Sequence, residues 1–330
     1  MADSFQSARM KRTHWRTQGH REHKGRGRRV PRVGVLWYNH FVAEPRTRPP
    51  RGESRELTEL RQLRTRQPEL ADAVDLHIAL LELQRRVQAR LPMPWIEVAP
   101  EWLKQQHAAG LPLLRFEDIP LDWTDFRLIF RQTADVLRRF DALDEADHQA
   151  IQAMSRDGHA LEPLAVRWFN ATAAPERLKQ PRAPKTTASP GALEQVLALA
   201  MRPFLERCAD VVQQRADFTT WTHPHCPLCG GEPEFAVLTS TGGRMMICGR
   251  CTGRWRFDET ACPFCKNDDR SLLPSFTSRD GLYRLYACDV CRRYIKAYDA
   301  RKGARPVMLA VDSVATLPLD AAAIQRGYKG

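Results

Sequence analysis

Eight of the nine cysteines of this 330-residue chain fall in one stretch as four C-x-x-C pairs: Cys226/Cys229, Cys248/Cys251, Cys262/Cys265 and Cys288/Cys291. A C-x-x-C pair can place two thiolates on one side of a tight turn, and two such turns facing each other close a tetrahedral four-sulfur metal site. Pairing neighbours in order gives C-x2-C-x18-C-x2-C and then C-x2-C-x22-C-x2-C, so eight cysteines make two complete sites. Thiol–disulfide exchange and structural disulfides are the competing chemistries. No apolar secretory core precedes the chain's body, and reduced cysteines at this spacing favour metal. A tetrahedral set of four sulfurs suits zinc and a single iron equally. His223 and His225 flank the first pair and could ligate, but four cysteines already fill each site. Cys208 lies on an apolar helical stripe and reads as an inert core thiol.

The two cysteine units look like copies. Each opens with Cys-Pro-x-Cys and passes through Gly242 to Arg244 or Gly281 to Arg284. Each then reaches its second pair and continues into aromatics, Trp255 and Phe257 or Tyr294 and Tyr298. Short β-prone runs, Phe235 to Leu238, Arg244 to Ile247 and Leu282 to Tyr286, join the pairs in the manner of a rubredoxin-like or zinc-ribbon unit. So small a unit buries little apolar surface, and ligation must supply much of its folding free energy.

The elements that position these units are helical. Leu70, Val74, Ile78 and Leu81 form one seam, with Leu76, Leu80, Leu83, Val87 and Leu91 beside it, until Pro92 and Pro94 end the helix. A second helix carries Phe126, Ile129, Phe130, Thr133, Leu137 and Phe140, and a third covers about 161–173. After a proline-rich linker, Leu193 to Cys208 repeat at three- and four-residue spacing, and Pro203 is expected to kink or interrupt that helix. His77 reads as a core or edge histidine. The expected fold is α+β: a basic tail over 1–52, a helical domain over 53–173, a linker over 174–191 and a completing helix over 192–220. Four-cysteine ribbons over 221–258 and 259–300 and a closing segment over 301–330 follow.

The net charge of +12 resides mostly in the tail, where residues 1–52 hold 13 Lys or Arg against three acidic residues. Residues 221–300 hold 11 Lys or Arg against 9 Asp or Glu, and thiolate-bound metal cancels that excess. A double zinc-ribbon protein that binds nucleic acid through its tail is the alternative reading. It predicts strongly salt-dependent binding, with the Arg250, Arg254 and Arg256 cluster as a local contact. The tail reads as disordered and dispensable. Arg28-Arg29 is followed by an apolar run, Val33 to Tyr38, too short for an export core, and no stretch approaches a membrane span. The expected location is the cytoplasm. No phosphate loop, dinucleotide fingerprint, H-E-x-x-H or G-x-S-x-G is present, so no enzyme activity and no small-molecule substrate are expected.

From about Leu57 to Tyr328 the chain resembles the formate dehydrogenase accessory protein family, the E-type maturation factors. The resemblance is specific at Cys226-Pro-Leu-Cys-Gly-Gly-Glu-Pro233, at Cys248/Cys251 with Trp255, at Cys262/Cys265 and at Cys288 to Lys296. The segment Val311 to Asp320, followed by Gly327-Tyr328, resembles the family's close, although Pro318 is expected to interrupt its helix. The resemblance implies a factor that binds the catalytic subunit of a molybdenum or tungsten formate dehydrogenase before assembly or export. It implies two metal ions, each bound by four cysteines, and favours iron. Those ions either brace a docking surface or act as redox centres.

Overall fold

The computed structural model describes residues 54–173 and 187–330; the basic tail and most of the expected linker lie outside them. Seven helices come first: α1 (Arg55–Arg66), α2 (Ala71–Gln88), α3 (Pro100–Ala109), α4 (Trp123–Arg139), α5 (Glu145–Arg156), α6 (Gly158–Ala173) and α7 (Pro190–Val212). Their starts are chemically marked. Ser54, Asp122, Asp144 and Ser189 each accept a first-turn N–H at the N-cap. The face read from the sequence on α4 is the buried one, with Phe126, Ile129, Phe130, Thr133 and Leu137 inside. Phe140 caps the helix rather than extending it. Asp147 on α5 is buried and accepts both the backbone N–H and the hydroxyl of Ser189 at 2.6 and 2.7 Å, which fixes where α7 begins.

Pro203 does not interrupt α7, which runs unbroken through it. Proline removes the N–H that would reach the carbonyl four residues back, Leu199. That carbonyl instead accepts a hydrogen bond from Gln84 Nε2 on α2 at 2.9 Å. A side chain from another helix thus satisfies the group that the proline leaves open.

The cysteine region forms one six-stranded sheet from β1 (Pro233–Leu238), β2 (Arg244–Cys248), β3 (Arg254–Arg256), β4 (Ser275–Thr277), β5 (Tyr283–Ala287) and β6 (Tyr294–Asp299). Its order is β3-β2-β1-β6-β5-β4. Each unit therefore contributes three strands in the same spatial order, third-second-first. The units join where β1 pairs in parallel with β6, Phe235 opposite Lys296 through Leu238 opposite Asp299. The repeat seen in the cysteines is thus a repeat in the sheet, and the two ribbons are one continuous surface rather than beads on a string.

Strands inside this sheet are covered on both faces. Ala236 and Leu238 of β1 and Ile295 and Ala297 of β6 enter the core shared with α4 to α7. Phe235, Val237, Tyr294 and Tyr298 face the other way, under the closing segment. That segment forms α8 (Leu309–Ala315) and α9 (Leu317–Gln325). Pro318 falls in the first turn of α9, where a missing N–H costs nothing, so it starts a helix instead of breaking one. Met308, Val311 and Val314 pack on Leu60, Leu63 and Val74 of the first two helices. The closing segment therefore packs back on α1 and α2.

Asp312, fully buried, fastens this closure. It accepts from Tyr283 at 2.7 Å, from Arg305 at 2.8 Å and from the Met308 backbone at 2.7 Å. Asp320 does the same further along, accepting from Lys296 at 2.6 Å and Tyr294 at 2.8 Å.

A pair of candidate four-cysteine metal centres

All four C-x-x-C pairs adopt one turn. The N–H four residues after each first cysteine returns to that cysteine's carbonyl: Gly230 to Cys226, Thr252 to Cys248, Lys266 to Cys262 and Arg292 to Cys288, at 2.9 to 3.2 Å. The first cysteine's own N–H then bonds the carbonyl five residues on, at Gly231, Gly253, Asn267 and Arg293. The residue after each second cysteine takes the left-handed conformation, with φ of 71° at Gly230, 55° at Thr252, 61° at Lys266 and 58° at Arg292. Only the first is glycine. A β-branched residue such as Thr252 is rarely found there, so the turn is imposed by its surroundings rather than by local preference.

These turns bring the predicted thiols together as two sets of four, Cys226/Cys229/Cys248/Cys251 and Cys262/Cys265/Cys288/Cys291. In the first set Cys226 and Cys251 sulfurs lie 3.6 Å apart, and Cys229 and Cys248 3.5 Å. In the second the corresponding distances are 3.7 Å (Cys262 to Cys291) and 3.6 Å (Cys265 to Cys288). A tetrahedron with metal–sulfur arms of about 2.3 Å has edges of about 3.8 Å. Both sets therefore have the dimensions of a four-sulfur cage, and none of these sulfurs is at disulfide distance. Burial pushes the Cys226 and Cys251 thiols well above their usual range, and neighbouring cysteines add to the effect. Four anionic sulfurs share that space only around a cation. Both groups can hold a metal ion, and their geometry accepts iron or zinc alike.

The surroundings of the two sets differ. The first is entirely inside: its cysteines belong to the main core, with Leu228 between them. Backbone N–H groups of Leu113 and Leu114 bond the carbonyls of Pro227 and Leu228 at 2.9 and 2.8 Å, pinning the first turn to the stretch after α3. The second turn is held by α7, where Arg202 donates to the Gly249 carbonyl at 2.5 Å, and by Gln213 at its end, which accepts from Arg254 N at 3.1 Å. Arg250, 8% exposed, lays its guanidinium 3.8 Å from the Trp168 ring centre on α6. In the second set Cys262 and Cys288 are buried, Cys291 is half-buried and Cys265 is exposed. Its last turn is supported by the chain's end: Tyr328 donates to Asp289 at 2.7 Å, and Arg292 lies 4.2 Å over the Tyr328 ring.

The histidines beside the first pair are placed elsewhere. His225 Nε2 lies 3.0 Å from the Gly110 carbonyl, and the His223 ring sits so close to Gly110 that any side chain there would collide with it. Both belong to an aromatic group with Trp221 and His107. His77, half-buried, bonds the Ala73 carbonyl within α2 at 2.8 Å, and burial lowers its pKa. Cys208 is fully buried in the core, and burial raises its thiol to about 12. Of the three arginines considered as a nucleic-acid contact, Arg254 and Arg256 are exposed and Arg250 is not. Sequence reasoning missed the supporting residues Arg202, Leu113, Leu114 and Gln213, which carry no motif. Among the described residues no helix is long and apolar enough to cross a membrane.

No family model matches the chain. It is 28% identical over 109 residues to the "Protein FdhE homolog" of Haemophilus influenzae (strain PittGG), a stretch covering 32% of this chain and 35% of that protein. It is likewise 28% identical over 106 residues to the homologue of the same name in Pectobacterium atrosepticum, covering 31% and 34%. The chain's alignment thus spans about a third of the length of these curated relatives. The crystal structure of the FdhE protein from Pseudomonas aeruginosa shares the fold, with a TM-score of 0.56 and 21% identity over 83% of this chain and 91% of that one. Over about a third of its length the chain is thus similar to proteins that bear the FdhE name, and it shares with the solved FdhE structure a fold in which a helical region precedes a sheet, here with two zinc-ribbon-like four-cysteine units.

Proposed function

We propose that the chain is a maturation factor for formate dehydrogenase, acting without catalysis of its own. It binds the catalytic subunit of a molybdenum or tungsten enzyme in the cytoplasm and is needed for that subunit's assembly. The observation that carries this reading is the similarity to named FdhE proteins in a chain with two four-cysteine groups on one sheet. In the same proposal Cys226, Cys229, Cys248 and Cys251 ligate one ion, and Cys262, Cys265, Cys288 and Cys291 a second. The boundaries drawn from the sequence separate the helical part, the two ribbons and the closing segment. A metal site filled by four protein sulfurs offers no open position for substrate or water, which supports a binding role. When bound, either ion locks its turns, and iron in addition exchanges one electron.

Anaerobic affinity capture of the full chain from cells induced for formate metabolism, with and without nuclease treatment of the extract, tests this. The expected result is recovery of a formate dehydrogenase catalytic subunit, identified by mass spectrometry. Recovery only of nucleic acid or ribosomal protein, lost on nuclease treatment, overturns it.

A further inference from the structure

A cleft of about 640 Å³ opens beside the second cysteine group, within the size range of sites that hold a small organic ligand. Its floor is the sheet, with Arg284 and Tyr286 from β5 and Arg244 from the start of β2. One wall is the Cys262 turn, with Pro263 and Phe264.

Five arginines line the cleft against one carboxylate, Glu259. Asp299, fully buried, is engaged by Arg301 through Nε and Nη2 at 2.7 Å each. Arg284 reaches the same carboxylate only at 3.6 Å, and its Nε has no hydrogen-bond partner. Arg244 is 4% exposed. Its Nη2 donates to the carbonyls of Asp258 and Ala261, and its Nε is left without a partner. Arg284 thus shares its carboxylate with Arg301, Arg244 donates only to backbone carbonyls, and two guanidiniums with an unpartnered Nε border one cleft. Tyr286 lines the same floor. Cys262 and Cys288 line the cleft on the side of Pro263 and Phe264. There Arg293, paired with Glu232 at 2.7 and 2.9 Å, covers the Phe264 ring at 3.7 Å. An anion thus has one favourable end of the cleft, and the other end offers apolar surface.

We propose that this cleft binds an oxyanion, a carboxylate or phosphate, carried on an apolar body. The oxyanion sits at Arg244, Arg284 and Tyr286, and the body lies along Pro263 and Phe264. The inference follows from the cleft itself and stands whether or not the maturation reading does.

Calorimetry on the metal-loaded full chain at constant ionic strength tests it, with phenyl phosphate, inorganic phosphate, benzyl alcohol and a blocked acidic–aromatic tripeptide as probes. Phenyl phosphate is expected to bind one-to-one, more tightly than inorganic phosphate or benzyl alcohol. Arg284→Gln should weaken it at least about tenfold, the effect of losing a charge-assisted hydrogen bond. Tyr286→Phe should weaken it a few-fold, and Arg284→Lys, which keeps charge but loses the fork, should fall between. Arg301 still holds Asp299 in these variants, so both metals should remain; Arg115→Gln, in a separate cavity, should change nothing. Tighter binding of the tripeptide points to a polypeptide source of the oxyanion, and tighter binding of phenyl phosphate to a free small molecule. No saturable binding of either, or equal affinity in Arg284→Gln, overturns the proposal.

Discussion

The two cysteine groups have the same turns and nearly the same sulfur–sulfur distances, yet one is a core element and the other a surface. The first group is part of the main apolar core and is gripped from α7, from α6 and from the stretch after α3. The second rests on the closing segment and faces a cleft, with Cys265 exposed. A metal site duplicated within one sheet need not be duplicated in role. The repeat supplies the cage, and the packing around it decides whether the cage braces the fold or presents itself to a partner.

The most direct way to break this contrast is to remove one ligand from each group. Cys248→Ser should destabilise the whole protein by at least about 3 kcal/mol, because ligation carries folding energy and this cage lies inside the shared core. Cys265→Ser should release the second ion yet leave the helical core and the first ion in place. Metal-to-protein ratios and thermal melts check both. Equal loss of melting temperature in the two variants would show that the groups are equivalent supports.

A gentler test leaves the sequence intact. Local opening governs how a chelator reaches a buried ion, and opening is cheapest where few contacts must break. Release should therefore be biphasic, with the second group emptying at least about tenfold faster. Cys265→Ser should abolish the fast phase and leave the slow one. A single phase for the intact protein contradicts the difference in exposure.

The cages were legible in the sequence because cysteine spacing is a local signal, and so were the strands around Phe235, Arg244 and Tyr283, whose β-prone runs lie between the cysteine pairs. What joined them was not legible. The parallel pairing of β1 with β6 brings together segments far apart in the chain, and nothing in either run specifies its neighbour. The left-handed turns at Thr252, Lys266 and Arg292 were hidden for the opposite reason: the residue types argue against the conformation that the turn demands. Helices α3 and α5 escaped notice despite Pro100 at the start of one and Asp144 capping the other, since short helices carry a weak periodic signal. Pro203 shows the limit most clearly. Of the kink or interruption expected there, the interruption does not occur, and the carbonyl that the proline leaves open is bonded by a glutamine on another helix.

That glutamine gives the subtlest test of the contrast, because α7 supports only the first group directly. Gln84→Leu leaves the Leu199 carbonyl buried and unpaired, at a cost of about 1–3 kcal/mol. Pro203→Ala restores an N–H that can reach the same carbonyl, so in that background the cost of Gln84→Leu should shrink by about 1 kcal/mol. Chemical denaturation of the four proteins in the cycle measures the coupling. The release rates locate its effect. Arg202, one residue before Pro203, holds the Gly249 carbonyl of the first ribbon, so loosening α7 should quicken the slow phase of metal release. The fast phase, from a group held by the closing segment instead, should not move. If both phases quicken together, the sheet transmits strain between the cages and the first group is not braced independently of the second.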